Sequence, residues 1–130
     1  MAHLGQTLIS PRDRRSNVKD HLWIVLSRPT RDGQVVIANI SSVPCPSGEV
    51  CTLEPGEHPF VEHTSYVRLL EARPVPAAVI DQFVGDGTAR RQPDLGPTVL
   101  RRLQHAVAAS EAVRMDAVKI LCDQGFAGAD

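Results

Sequence analysis

Apolar residues run along this chain in two rhythms, and the change falls near Arg73. N-terminal to it the apolar runs are short and rich in β-branched side chains; C-terminal to it they recur at helical spacing. HLWIVLS (21–27) stops before Pro29 and the turn residues Asp32-Gly33, and VVIANISS (35–42) comes next. The pair predicts a β-hairpin with a moderately long loop. VPCPSGE (43–49) has loop composition. EVCTLE (49–54) alternates Val50, Thr52 and Glu54 against Cys51 and Leu53, which predicts a third strand. TSYVRLLEA (64–72) predicts a fourth, stopped by Arg73-Pro74. The polar, basic stretch 1–20 reads as a loose arm with room for one short edge strand at Thr7 to Ile9. Strands spaced in this way favour a small antiparallel β-barrel over a βαβ sheet.

After Arg73 the pattern predicts helices. Pro76 suits the first position of a helix through AAVIDQFV, with Gly85 as its stop, and 85–96 reads as a connection. Pro97 opens a longer helix with Leu100, Leu103 and Val107 at i, i+3 and i+7. Continuing that stripe would bring Ser110 or Glu111, then Arg114, into the core. The apolar set restarts instead at Val113, Ala117, Ile120 and Leu121, rotated by roughly a quarter-turn at about 100° per residue. This phase shift predicts two helices with a break near Ser110, the second ended by Gly125. The expected class is α+β in one domain, 1–130: arm 1–20, barrel 21–75, helical part 76–125.

Composition refines this reading. A chain of 130 residues can bury a core without staples, and with 42% apolar but only 4% aromatic residues that core must be Val, Ile, Leu and Ala. The net charge of −1 gives no global case for a nucleic-acid partner. Charge is uneven, however. From Cys45 to Ala72 the chain carries Glu49, Glu54, Glu57, Glu62 and Glu71 against Arg68 alone. Basic residues gather at Arg12, Arg14, Arg15 and Lys19, and at Arg90, Arg91, Arg101 and Arg102. No long apolar run suggests a membrane, and three sparse cysteines suit a reduced cytoplasm. Cys45 and Cys51 flank a Pro-Ser-Gly turn and could pair across it only where conditions are oxidising.

Candidate chemistry concentrates in LEPGEHPFVEHTSYVRLL (53–70), which holds His58, His63 and the sole tyrosine, Tyr66. Pro59 keeps His58 extended, in a loop pinned by a strand at each end. The strands HLWIVLS and VVIANISS resemble those of the MazF/PemK toxin family, over roughly 20–80. That resemblance implies an SH3-like barrel with helical additions, usually homodimeric. It also implies a metal-independent endoribonuclease silenced by an antitoxin protein across its RNA groove. His21 then stands where the family has its catalytic arginine, and Ser41 where it has its catalytic threonine. Serine keeps the hydroxyl, whereas histidine does not keep a permanent charge.

Cleaving RNA through its 2′-hydroxyl needs a base, an acid and donors to the phosphorane, and histidine suits both proton roles. His58 and His63, with His21 or Ser41, form the candidate catalytic set. Ser42, Tyr66 and Arg68 are the candidate substrate contacts on single-stranded RNA, and no metal or cofactor is expected. Against this, His58 and His63 could simply brace the turn and the strand start by hydrogen bonds to backbone. A metal set of His58 and His63 with Cys51 or His21 lacks the CxxC or HExxH spacing of dependable zinc sites. Trp23 could stack on bases or fill core, and the arginine pairs could hold phosphates or merely face solvent. Ser41-Ser42 lacks the context of a nucleophile elbow, and Gly85-Asp86-Gly87 is no phosphate loop. The competing class is a non-catalytic protein-interaction module, favoured by the acidic surroundings of the histidine loop.

Overall fold

The structure, a computed structural model, describes residues 2–10, 21–44, 46 and 48–126. The basic residues at 12–19 and any Cys45–Cys51 pairing lie outside the described residues. The fold is α+β. Among the described residues seven strands form one antiparallel sheet: β1 (Thr7–Ile9), β2 (Leu22–Val25), β3 (Gln34–Ser41), β4 (Thr52–Leu53), β5 (Ser65–Val67), β6 (Arg73–Pro76) and β7 (Arg90–Gln92). Among the same residues three helices come after the early strands: α1 (Ala77–Gly85), α2 (Pro97–Ala109) and α3 (Met115–Asp123). None is long and apolar enough to cross a membrane.

The strand path runs β4-β5-β3-β2-β1-β7, with β6 also on β3. The sheet is therefore open between β4 and β7, where the strand spacing predicts closure. β3 is its axis. β2 takes one edge, with Trp23 opposite Asn39 and Val25 opposite Ile37. The other edge is shared in succession by β6, at Gln34 to Ile37, and β5, at Ile40 and Ser41. Period-two alternation sends Val36, Ala38 and Ile40 to one face and Val35 and Ile37 to the other. The first face meets Leu100, Leu103 and Val107 of α2 and Ala117 and Leu121 of α3, which form the main core. The second is covered in part by the short α1 through Ile80.

Several elements differ from the sequence pattern. β1 is fully buried and interior, between β2 and β7, rather than an edge in a loose arm. The stretch 85–96 contains β7, whose Arg90, Arg91 and Gln92 carry no strand pattern because they form an exposed, charged edge. The strand expected over 64–72 breaks after Val67 into a 3₁₀ turn at Leu69–Glu71, closed by an Arg68–Glu71 ion pair of 2.7 Å. It resumes as β6 with Pro74 and Pro76, which β6 tolerates because it pairs on one side only. The third strand shrinks to Thr52–Leu53. The helix break falls where the phase shift places it. Ser110 ends α2, its Oγ accepts the Ala112 N–H at 3.0 Å, and α3 starts at Met115.

Candidate functional site

The loop from Glu54 to Thr64 is held at its base by charge. Arg102 on α2 donates to both carboxylate oxygens of Glu57, at 2.6 and 2.8 Å, and to the Thr52 carbonyl at 2.9 Å. This fork holds the Glu57 carboxyl below the usual carboxylate range and raises the Arg102 guanidinium further. Beside it, burial pushes the Cys51 thiol up to about 11, against a smaller opposing pull from Arg102.

His58 anchors the middle of the loop. It is buried, and its Nε2 lies 2.8 Å from the Pro93 carbonyl and 2.9 Å from Thr7 Oγ1, while Nδ1 accepts the Phe60 N–H at 3.0 Å. A carbonyl only accepts, so the ring proton sits on Nε2 and both nitrogens are engaged. His58 is thereby removed from His63, with which the sequence groups it. It braces the loop, and the chain runs on from it along the surface to His63, with Val61 turned into the core and Phe60 packed partly against it.

The segment from Pro59 to His63 forms one wall of a cleft of about 560 Å³. Pro59, Phe60, Glu62 and His63 line it together with His21, Ile40, Ser41 and Ser42, and Ser65 and Gln92 complete the lining. Thus His21, Ser41, Ser42 and His63 come together, although they lie on β2's lead-in, the end of β3 and a loop. His21 Nδ1–H donates to the Ile40 carbonyl at 3.3 Å, so the neutral ring leaves Nε2 as its free lone pair. The exposed His63 ring has no side-chain or backbone partner among the described residues. Ser41 Oγ accepts the Val43 N–H at 3.1 Å and keeps its own proton to donate.

The remaining candidates lie elsewhere. Tyr66 stands in register between Thr52 and Ser41, half-buried, and is not part of this lining. Arg68 belongs to an adjoining cleft of about 330 Å³ that shares Ser41 and is otherwise walled by Val43, Pro44, Pro46, Leu70 and Glu71. Trp23 lies half-buried on the second sheet face, under the Arg73 guanidinium, 5.4 Å from the ring centroid. Among the described residues no three His, Cys, Asp or Glu side chains gather as a metal site, so the His58, His63 and Cys51 or His21 sets are not assembled. Sequence reading misses Gln92 and Ser65: the first sits on a strand without strand pattern, the second is one serine among several. No protein-family model matches the chain, and no curated protein matches it with significance.

Proposed function

We propose that the chain is a metal-independent endoribonuclease of the toxin type, cutting single-stranded RNA in the His21–His63 cleft. The observation that carries this reading is one open cleft lined by two imidazoles and the hydroxyls of Ser41 and Ser42. In the proposed reaction His21 Nε2 takes the proton of a ribose 2′-hydroxyl, whose oxygen attacks the adjacent phosphorus. The P–O5′ bond breaks, and His63 gives its proton to the leaving 5′-oxygen. The products are a 2′,3′-cyclic phosphate and a 5′-hydroxyl. Ser41 and Ser42 donate to the phosphoryl oxygens as charge builds there, and Phe60 offers an apolar platform to a base. His58 takes no proton role in this scheme; it positions the loop.

The toxin resemblance extends the proposal to an SH3-like barrel, a homodimer in the cytoplasm and a protein antitoxin. Tyr66 and Arg68 would then meet RNA beyond the cleft, past Ser41. The shared use of β3's edge by β6 and β5 supports a sheet able to turn back on itself. A second reading rests on a specific observation: among the described residues the cleft lining contains Glu62 but neither arginine nor lysine. That favours a non-catalytic protein-interaction module, because a phosphate backbone is drawn by positive charge. The test is a panel of single-stranded RNAs incubated with EDTA. Cleavage should leave cyclic phosphate ends and show a bell-shaped pH dependence. His21→Ala or His63→Ala should lower the rate by about 10²–10⁴-fold. Folded wild type that cuts none of them supports the interaction module.

A further inference from the structure

On the second sheet face α1 is too short to cover the strands beneath it. Its nine residues bury only Ile80 completely, and Phe83 remains 41% exposed. Between the helix and the sheet lies a cleft of about 220 Å³, remote in lining from the histidine cleft. Val79, Ile80 and Phe83 form its helical wall, and Leu8, Trp23 and Ile37 its floor. Among the described residues one charged side chain, Arg73 of β6, joins this mostly apolar lining, with the hydroxyls of Ser10 and Thr88.

The state of Arg73 gives the cleft chemical direction. Its guanidinium stacks over Trp23 at 5.4 Å, and Nη1 donates to the Glu71 carbonyl at 3.1 Å. Among the described residues no carboxylate pairs with it, whereas Arg68, Arg91, Arg102 and Arg114 each have one. A planar fork of five N–H donors, held by stacking and only once engaged, is preorganised for a carboxylate. An apolar pocket with one convergent charged group is the ordinary form of a small-ligand site. Size narrows the class further. A dry apolar cavity of about 150 Å³ accepts benzene, so this one holds a single aromatic ring or a chain of about six to eight carbons.

We propose that this cleft binds small apolar monocarboxylates, the carboxylate on Arg73 and the hydrocarbon body between Trp23 and α1. The site is independent of the RNA reading and stands if that reading fails. Trp23 is the only tryptophan in the chain, so its emission reports occupancy directly. The experiment titrates the whole protein with phenylacetate and octanoate, and in parallel with phenylacetamide and octanol. The acids should give a saturable change at about 0.1–1 mM, the range for ligands of this size, and bind at least about tenfold tighter than the neutral partners. Arg73→Gln should erase that difference, and Val79→Phe, which fills the cleft, should abolish binding of both kinds. Amide proton shifts in the wild type should map the acids to residues of this cleft, whether or not the variants fold. Equal affinity for acid and neutral ligands, or no saturable binding, would overturn the proposal. So would acids that split a dimer in light scattering, which would assign the groove to a second copy of the chain.

Discussion

His58 and Thr7 lie fifty-one positions apart in the chain and meet in one buried hydrogen bond of 2.9 Å. The Thr7 hydroxyl gives its own proton to the Pro93 carbonyl, and the His58 Nε2–H is shared between that carbonyl and Thr7 Oγ1. β1, the histidine loop and the segment after β7 are thus tied at one buried polar anchor. Removing the ring strands the Phe60 N–H and leaves a cavity. His58→Ala should therefore cost about 2–4 kcal/mol in urea unfolding. His63→Ala, at an exposed ring, should stay within about 0.5 kcal/mol of wild type. Similar losses for the two would refute the division of labour between brace and cleft.

The Glu57–Arg102 fork makes a prediction at acid pH. Glu57 is held below its ordinary range in the folded chain, so the unfolded chain binds its proton more readily. Its contribution is therefore complete above about pH 4.3, the ordinary glutamate value, and fades as pH falls through the lower folded value. Arg102 is half-exposed, so the pair is worth only about 0.5–1 kcal/mol. Glu57→Gln should lower stability by about that much near neutrality and flatten the slope of stability against pH below about 4.3. A variant whose acid slope matches wild type would remove the fork from the loop's support.

How much of this was legible in the sequence depends on which residues carried a period. β2, β3 and α2 were readable because their buried positions repeat with their own geometry: Leu22 and Ile24, Val36, Ala38 and Ile40, Leu100, Leu103 and Val107. The Ser110 break was readable as a phase shift. β7 was not, because Arg90 and Arg91 form an exposed edge where pairing is made by backbone alone. β6 was hidden by Pro74 and Pro76, which stop a central strand but not one paired on a single side. At the site, His21, Ser41, Ser42 and His63 were identifiable as residue types, and the fold brings them to one cleft. The separation of His58 from His63 was invisible, since it depends on Thr7 and Pro93, both far away in sequence.

The turn between α2 and α3 is fastened from outside. The Glu49 carboxylate accepts from the Ser110 hydroxyl and, at 3.0 Å, from the Glu111 N–H. It supplies an acceptor for a backbone donor, the Glu111 N–H, that has left the ladder at the helix break. Glu49→Ala should cost about 1 kcal/mol, and Glu49→Gln less, since an amide oxygen can still accept. Under the proposed endoribonuclease reading, RNA cleavage per folded molecule should be unchanged in both. Chemical denaturation paired with circular dichroism checks this, and a loss of cleavage without a loss of stability would contradict it.

Cys51 gives the alkaline counterpart. It is 7% exposed, and burial pushes its thiol up to about 11, well above the ordinary cysteine value of about 8.5. Here the folded value is the higher one, so the contribution is complete below the unfolded value and is lost as pH rises through the folded one. Stability should therefore fall between about pH 8.5 and about pH 11, by roughly 2–3 kcal/mol over that interval at about 1.4 kcal/mol per pH unit. Cys51→Ala should remove that component of the slope while adding a fixed packing penalty visible at neutral pH. The same shift governs reactivity, because only the thiolate attacks an alkylating agent. At about pH 8 roughly one Cys51 in a thousand is ionised, so iodoacetamide should modify it at least about a hundredfold more slowly in the native protein than in urea. Peptide mapping separates it from the exposed Cys122, which has no such cover. Rapid native alkylation of Cys51, with an alkaline slope unaltered by Cys51→Ala, would mean that the strand entering the histidine loop opens far more readily than its packing implies.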